Sequence, residues 1–169
     1  MAASDLTAQR LRELLHYDPR TGIFTRLVSR NCGTAEPGYH AGYPNAEGYI
    51  HFMVDRRTYM AHRLAWLYMT SKWPQNLIDH INGIKNDNRI ENLREATASE
   101  NKQNMRKARS DCKNSGLMGA YFDIRYGGRW FSNITINGKR QHLGMFSTAE
   151  DAHAAYIEAK RRLHPGCMI

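Results

Sequence analysis

The stretch Leu77-Ile78-Asp79-His80-Ile81-Asn82-Gly83, continued through Asp87-Asn88-Arg89, Glu91-Asn92-Leu93-Arg94 and Thr97-Ala98-Ser99-Glu100-Asn101, decides how the rest of the chain is read. Leu77–Ile81 has the composition of a short buried strand, and Asn82–Arg89 is a long polar loop. Ile90–Arg94 reads as a second short strand. Thr97 with Glu100 has the form of a capping box opening a helix over 98–108. The order strand, loop, short strand, helix brings Asp79, His80, Asn92 and Asn101 within one small supersecondary unit.

Those residue types suit the cleavage of a phosphodiester. A water must lose its proton, and charge on the departing oxygen must be neutralised. An imidazole, ordinary pKa about 6.5, suits the first task. A carboxylate and an amide carbonyl suit a hard cation that keeps several waters. Neighbours on a strand face opposite sides, so Asp79 and His80 share a site only where the strand ends or bends, as the Asn82-Gly83 loop allows. Singly, an Asp-His pair or an Asn-rich loop is more often structural.

Working outward, Leu6, Leu11, Leu14 and Leu15 trace one face of a short helix with Asp5 as its cap. Asp18–Gly22 is a turn before the β-prone Ile23–Leu27. Residues 29–48 read as irregular connection with one short strand. Gly48–Val54 and Thr58–Met60 form a hairpin across Asp55-Arg56-Arg57, and a helix follows over 61–70, ended by Trp73-Pro74. Beyond a linker at 111–116 come strand-like segments at 118–125, 129–136 and 139–146, with turn signals at Tyr126-Gly127-Gly128 and Asn137-Gly138. Ser147-Thr148-Ala149-Glu150 opens a helix over 148–162.

Composition sets the class. Hydrophobic residues are 41% and aromatic residues 10% of the chain, enough for a folded core. No apolar run approaches the roughly 20 residues that span a bilayer, and no signal peptide is visible at Met1–Asp5. An intracellular protein is expected, in the host cytoplasm if phage-encoded. Cys32, Cys112 and Cys167 form no Cys-x-x-Cys pair, so a zinc site on paired cysteines is not supported. Net charge is +8; residues 1–101 hold 12 Lys/Arg against 11 Asp/Glu, and residues 102–169 hold 12 against 5. A polyanion held by the C-terminal part follows from that asymmetry.

With Ala61-His62-Arg63-Leu64-Ala65-Trp66 ahead of it, the central stretch resembles the HNH (His-Me finger) homing endonucleases of phages. The resemblance covers roughly residues 5–108. It implies a ββα-metal core with His80 as general base, Asn92 orienting it, and Asp79 and Asn101 binding one Mg²⁺ or Mn²⁺ per active site. Asparagine in place of the motif's last histidine favours an oxygen-ligated ion. His62 is assigned a packing or phosphate-contact role; His16, His40 and His51 have no partners that mark them as ligands.

The C-terminal part has its own resemblance. Gly119-Ala120-Tyr121, Arg129-Trp130, Asn133-Ile134, Leu143-Gly144-Met145-Phe146 and Thr148–Ala152 are similar to the ethylene-response-factor (AP-two) DNA-binding domain. That resemblance implies a three-stranded sheet laid in the major groove of duplex DNA. Its contact residues would be Tyr121, Arg125, Arg129, Asn133, Thr135, Lys139, Arg140 and His142. Tyr121, Asp123 and His142 stand where plant members carry Arg, Arg and Trp, which removes the plant target sequence. Trp130, Ile134, Leu143 and Phe146 are expected in the sheet–helix core.

The expected architecture is α+β, with a nuclease domain at 1–110, a linker at 111–116 and a DNA-binding domain at 117–169. The expected activity is metal-dependent cleavage of DNA by a monomer or dimer, nicking or cutting both strands. Two rivals are a DNA-binding regulator on an inactive nuclease fold and an RNA-binding protein that stacks bases on Tyr and Trp.

Overall fold

The computed structural model of the chain describes residues 6–28, 37–38, 40–106 and 115–169, with the backbone alone at Tyr126. Asp5, Cys32, Cys112 and positions 111–114 of the expected linker lie outside the described residues. The chain divides into two compact units, Met1–Ala96 and Thr97–Ile169. The helix of the central stretch therefore belongs to the second unit, together with the C-terminal sheet.

In the first unit, α1 (Ala8–Leu14) starts at Thr7, whose hydroxyl accepts from the Arg10 N–H. The helix is followed at once by β1 (Leu15–Asp18), which pairs antiparallel with β2 (Ile23–Arg26). Strand β1 differs from the sequence expectation, because Leu11, Leu14 and Leu15 fit a helical face and hide the switch to the alternation that buries Leu15 and Tyr17. The turn between the strands is built by Asp18, whose carboxylate accepts from the Arg20 N–H and the Thr21 hydroxyl.

A three-stranded sheet follows in the order β3 (Tyr43–Pro44), β4 (Ile50–Val54), β5 (Arg57–Met60). Asp55 and Arg56, with φ of 45° and 65°, make a two-residue turn that suits the strand twist. Arg57, expected in that turn, instead pairs with Val54. Helix α2 (Ala61–Thr70) buries Ala61, Leu64, Ala65 and Leu67 against Leu11, Leu15, Tyr17, Phe24, Phe52 and Val54. On this core stands the hairpin of β6 (Leu77–His80) and β7 (Leu93–Ala96), anchored by buried Ile78 and Leu93. Ile90–Asn92, expected as the start of a strand, forms a 3₁₀ turn. The Asn92 N–H bonds the Arg89 carbonyl at 2.9 Å there, and pairing with β6 begins only at Leu93.

The second unit opens with α3 (Ala98–Gln103), where the Thr97–Glu100 capping box forms as expected. The C-terminal tail is tied to this helix. The Gly166 N–H donates to Gln103 Oε1 at 2.9 Å, and the Met168 N–H donates to Asn104 Oδ1 at 3.3 Å. Strands β8 (Ala120–Asp123), β9 (Arg129–Ile136) and β10 (Lys139–Phe146) form one antiparallel sheet in the order β10-β9-β8. Helix α4 (Ala149–Leu163), capped by Thr148, buries Ala149 and Ala152 with Ala120, and Trp130 and Phe146 pack against them. Ile134 is fully buried, and Leu143 is half-buried. Among the described residues, no helix is long and apolar enough to cross a membrane.

Candidate active site

The polar loop between β6 and β7 is held by its own side chains. Asn82 donates from its amide to Asp87 Oδ2 at 2.7 Å and accepts from the Ile84 N–H. Arg89 grips the Asp87 carboxylate through Nε at 2.8 Å and NH2 at 2.7 Å. These bonds, the Arg89 pair first, hold the Asp87 pKa down to about 2. Asn92 closes the base of the loop: its carbonyl accepts from the Asn82 N–H and its amide donates to the Asp87 carbonyl. Backbone bonds from the Ile81 N–H to the Asn92 carbonyl and from the Gly83 N–H to the His80 carbonyl complete the frame.

His80 ends β6 inside this frame, 4% exposed. Its Nε2 lies 3.2 Å from Asn88 Oδ1. The Asn88 amide nitrogen donates to the Asn86 carbonyl, which turns Oδ1 toward the ring. Nε2 is then the protonated nitrogen, and Nδ1 carries the lone pair. Asn88 is fixed from the core: the buried Tyr17 hydroxyl donates to its carbonyl at 2.7 Å. Gly22 packs against the same segment, where a Cβ would meet Arg89 N at 2.5 Å and Asn88 C at 2.6 Å. With φ of +73° and no room for a side chain, position 22 requires glycine. A chain of contacts thus runs from the core through Asn88 to the imidazole.

Burial lowers the His80 pKa, and the Asn88 bond, Asp79 and Asp87 act to raise it. His62, on α2, packs edge-on against His80 with ring centroids 5.2 Å apart, and Tyr49 lies 5.9 Å from His80 and 5.4 Å from His62. Burial, then the neighbouring His80 and Arg63, drives the His62 pKa down to about 3. His62 is therefore a neutral wall of the site at ordinary pH, and its buried Nδ1 has no hydrogen-bond partner among the described residues.

Asp79 is buried beside His80, and Arg94, its cross-strand neighbour, donates to Oδ2 from Nε at 3.0 Å and NH2 at 2.8 Å. The first unit thus gathers Asp79, His80 and Asn92. Asn101, the fourth residue of α3, lies in the second unit. A carboxylate with an amide oxygen suits a hard cation that keeps most of its waters. Among the described residues, no group of three or more His, Cys, Asp and Glu is disposed to hold a metal. Asn88, Tyr17 and Arg94 were not picked out from sequence. Asn88 looked like one more turn residue in an Asn-rich loop, and only the fold reveals its bond to the ring.

On the C-terminal sheet, Asn133 pairs with His142 and Thr135 with Arg140, so these four share one face with Tyr121 and Arg129. His142 Nδ1 lies 3.1 Å from Asn133 Oδ1. Lys139 opens β10 opposite Ile136, and its parity puts it on the other face. Arg125 leaves the strand alternation, because Ile124–Tyr126 forms a 3₁₀ turn. Its guanidinium holds the Asp123 carboxylate through Nε and NH2, which lowers the Asp123 pKa.

Residues 59–103, from β5 through α2 and the β6–β7 hairpin into α3, match the family model described as HNH endonuclease. No curated protein and no solved structure matches the chain.

Proposed function

We propose that this chain is a divalent-metal-dependent endonuclease acting on DNA, with His80 as the general base. The match over residues 59–103 supports a nuclease. The observation that carries the reading further is the held state of His80: a buried imidazole whose tautomer is set by Asn88 Oδ1 at 3.2 Å. Its Nδ1 takes the proton of a water, whose oxygen attacks phosphorus as the P–O3′ bond breaks. Asn92 acts through the loop that frames His80 rather than through a bond to the ring. Asp79 and Asn101 are the residues that would hold Mg²⁺ or Mn²⁺. Such an ion would neutralise charge developing on the phosphate and the leaving oxygen.

The basic second unit is proposed to hold duplex DNA, in the manner of an AP-two domain. Arg129, Asn133, Thr135, Arg140 and His142 on one face would make the contacts. Lys139 on the opposite face, and Arg125 already paired with Asp123, are assigned phosphate contacts at the sheet margin. A homing-type role in a phage fits this pairing of cutting and reading units.

One observation favours a DNA-binding regulator instead: Arg94 already occupies Asp79 Oδ2 with two donors. End-labelled duplex DNA, incubated with Mg²⁺, Mn²⁺ or EDTA, separates the two readings. Cleavage that needs the metal and leaves 5′-phosphate ends is expected. Binding without cleavage in either metal would favour the regulator.

A further inference from the structure

The second unit contains a cleft of about 420 Å³ that shares Asn133 and Thr135 with the face proposed to hold duplex DNA and runs on to Lys160 and His164, which that proposal does not use. Its lining includes Lys102 of α3, Tyr121 of β8, Thr135 of β9, Tyr156 and Lys160 of α4, and His164 just after that helix; no Asp or Glu contributes to it. Lys160 is only 2% exposed. Its Nζ donates to the Met105 carbonyl and stands 5.8 Å from the centre of the Tyr156 ring. An ammonium has three N–H donors, and no carboxylate pairs with this one among the described residues. Taking an ion out of water without a counter-charge is costly, and burial lowers the Lys160 pKa accordingly. His164 adds a second unmet group. Its Nε2 donates to the Thr135 carbonyl at 3.0 Å, while its buried Nδ1 has no hydrogen-bond partner among the described residues. Nδ1 donates to an anion in the imidazolium form, which a bound phosphate itself favours.

Two buried nitrogen groups with unmet capacity, in a cleft lined without carboxylates, match an anion supplied from outside. The cleft is larger than a lone phosphate needs and lies in the range that takes a small organic ligand. Tyr121 and Tyr156 offer aromatic surface on which a base can stack. We propose that this cleft binds one nucleotide unit, its phosphate on Lys160 and His164 and its base against the tyrosines. The proposal goes beyond the nuclease reading and holds whether or not the chain cuts DNA.

The test titrates the full chain in EDTA, which keeps nucleic acid intact, with deoxyadenosine 5′-monophosphate, inorganic phosphate and a short single-stranded oligonucleotide. Wild type is compared with Lys160→Met and His164→Phe by calorimetry, and folding is checked by thermal melting. Saturable binding of the mononucleotide is expected, tighter than that of phosphate alone and weakened about tenfold or more in each variant. Lys160→Met should melt no lower than wild type, since it removes an unpaired buried charge. If the oligonucleotide competes, the ligand is a nucleotide of a nucleic-acid strand; if it does not, the ligand is a free nucleotide. The proposal is overturned if the mononucleotide fails to bind wild type, or if a folded variant binds it as tightly as wild type does. Should Lys160→Met not fold, His164→Phe decides alone.

Discussion

Replacing Asn88 tests the central feature of the site, because Asn88 Oδ1 is the partner of His80 Nε2 at 3.2 Å. Both residues are buried, at 3% and 4% exposure, so water does not readily take the amide's place. Asn88→Ala leaves a buried ring N–H without its acceptor, a penalty of about 1–3 kcal/mol. If the ring must recover its tautomer and orientation before each turnover, that penalty lowers kcat by roughly 5- to 150-fold. Duplex affinity should stay near wild type, since Asn88 is not among the proposed DNA contacts. The pH dependence carries a second signature. The proposed base works neutral, so the rate is expected to rise with pH through the His80 pKa, which burial lowers. Asn88→Ala removes a bond that favours the imidazolium and moves the acid limb of the profile down. Asn88→Asp puts a negative charge beside the ring and moves that limb up by about one to three pH units. Single-turnover nicking of supercoiled plasmid at a series of pH values, below the melting temperature of each variant, reads both effects. A folded Asn88→Ala protein with the wild-type rate and the wild-type acid limb would remove Asn88 from the support of His80.

Three further perturbations reach the same structure from other sides. Tyr17→Phe removes the hydroxyl that fixes the Asn88 carbonyl at 2.7 Å. It should cost about 1–3 kcal/mol in a denaturant melt and lower the cleavage rate by more than it weakens DNA binding. His62, with its pKa near 3 in the fold, binds its proton far more readily when unfolded. Its contribution is therefore intact above a pH of about 6.5 and is lost as pH falls toward 3, at about 1.4 kcal/mol per pH unit. His62→Phe should flatten melting temperature against pH over that window, and an unchanged slope would refute the assignment. At Gly166 a Cβ would meet the Glu100 carbonyl oxygen at 2.5 Å and its Cα at 2.6 Å, both backbone atoms of α3. Gly166→Ala should destabilise the second unit by about 1–3 kcal/mol, and hydrogen exchange at α3 would show the loosening.

What the sequence made legible were elements set by local chemistry. The Thr97–Glu100 capping box, the Ala61–Thr70 helix and the hairpin turn at Asn137-Gly138 needed only short-range signals. Asp79 and His80 stood out only in combination with Asn92 and Asn101, since an Asp-His pair alone is more often structural. The rest depended on distant partners. β1 was hidden because its Leu15 also fits the face of the preceding helix, and the 3₁₀ turn at Ile90–Asn92 because Ile90 with Leu93 also fits a strand. Asn88 takes its place at His80 through Tyr17 and Gly22, far off in sequence and touching it only in the fold. Arg125 looked like part of the sheet face by alternation, whereas a local turn pairs it with Asp123. Lys160, which no local signal marks, is buried with its Nζ on the Met105 carbonyl.

Conversion of supercoiled plasmid to open-circle or linear DNA, with Mg²⁺ or with EDTA, for wild type and His80→Ala, tests the proposed activity most directly. The expected result is metal-dependent cutting by wild type that falls by about a hundredfold or more in a folded His80→Ala protein, whose plasmid binding is retained. Equal cutting by the two proteins would remove His80 from the chemistry. No cutting by wild type on plasmid that it binds would contradict the nuclease itself.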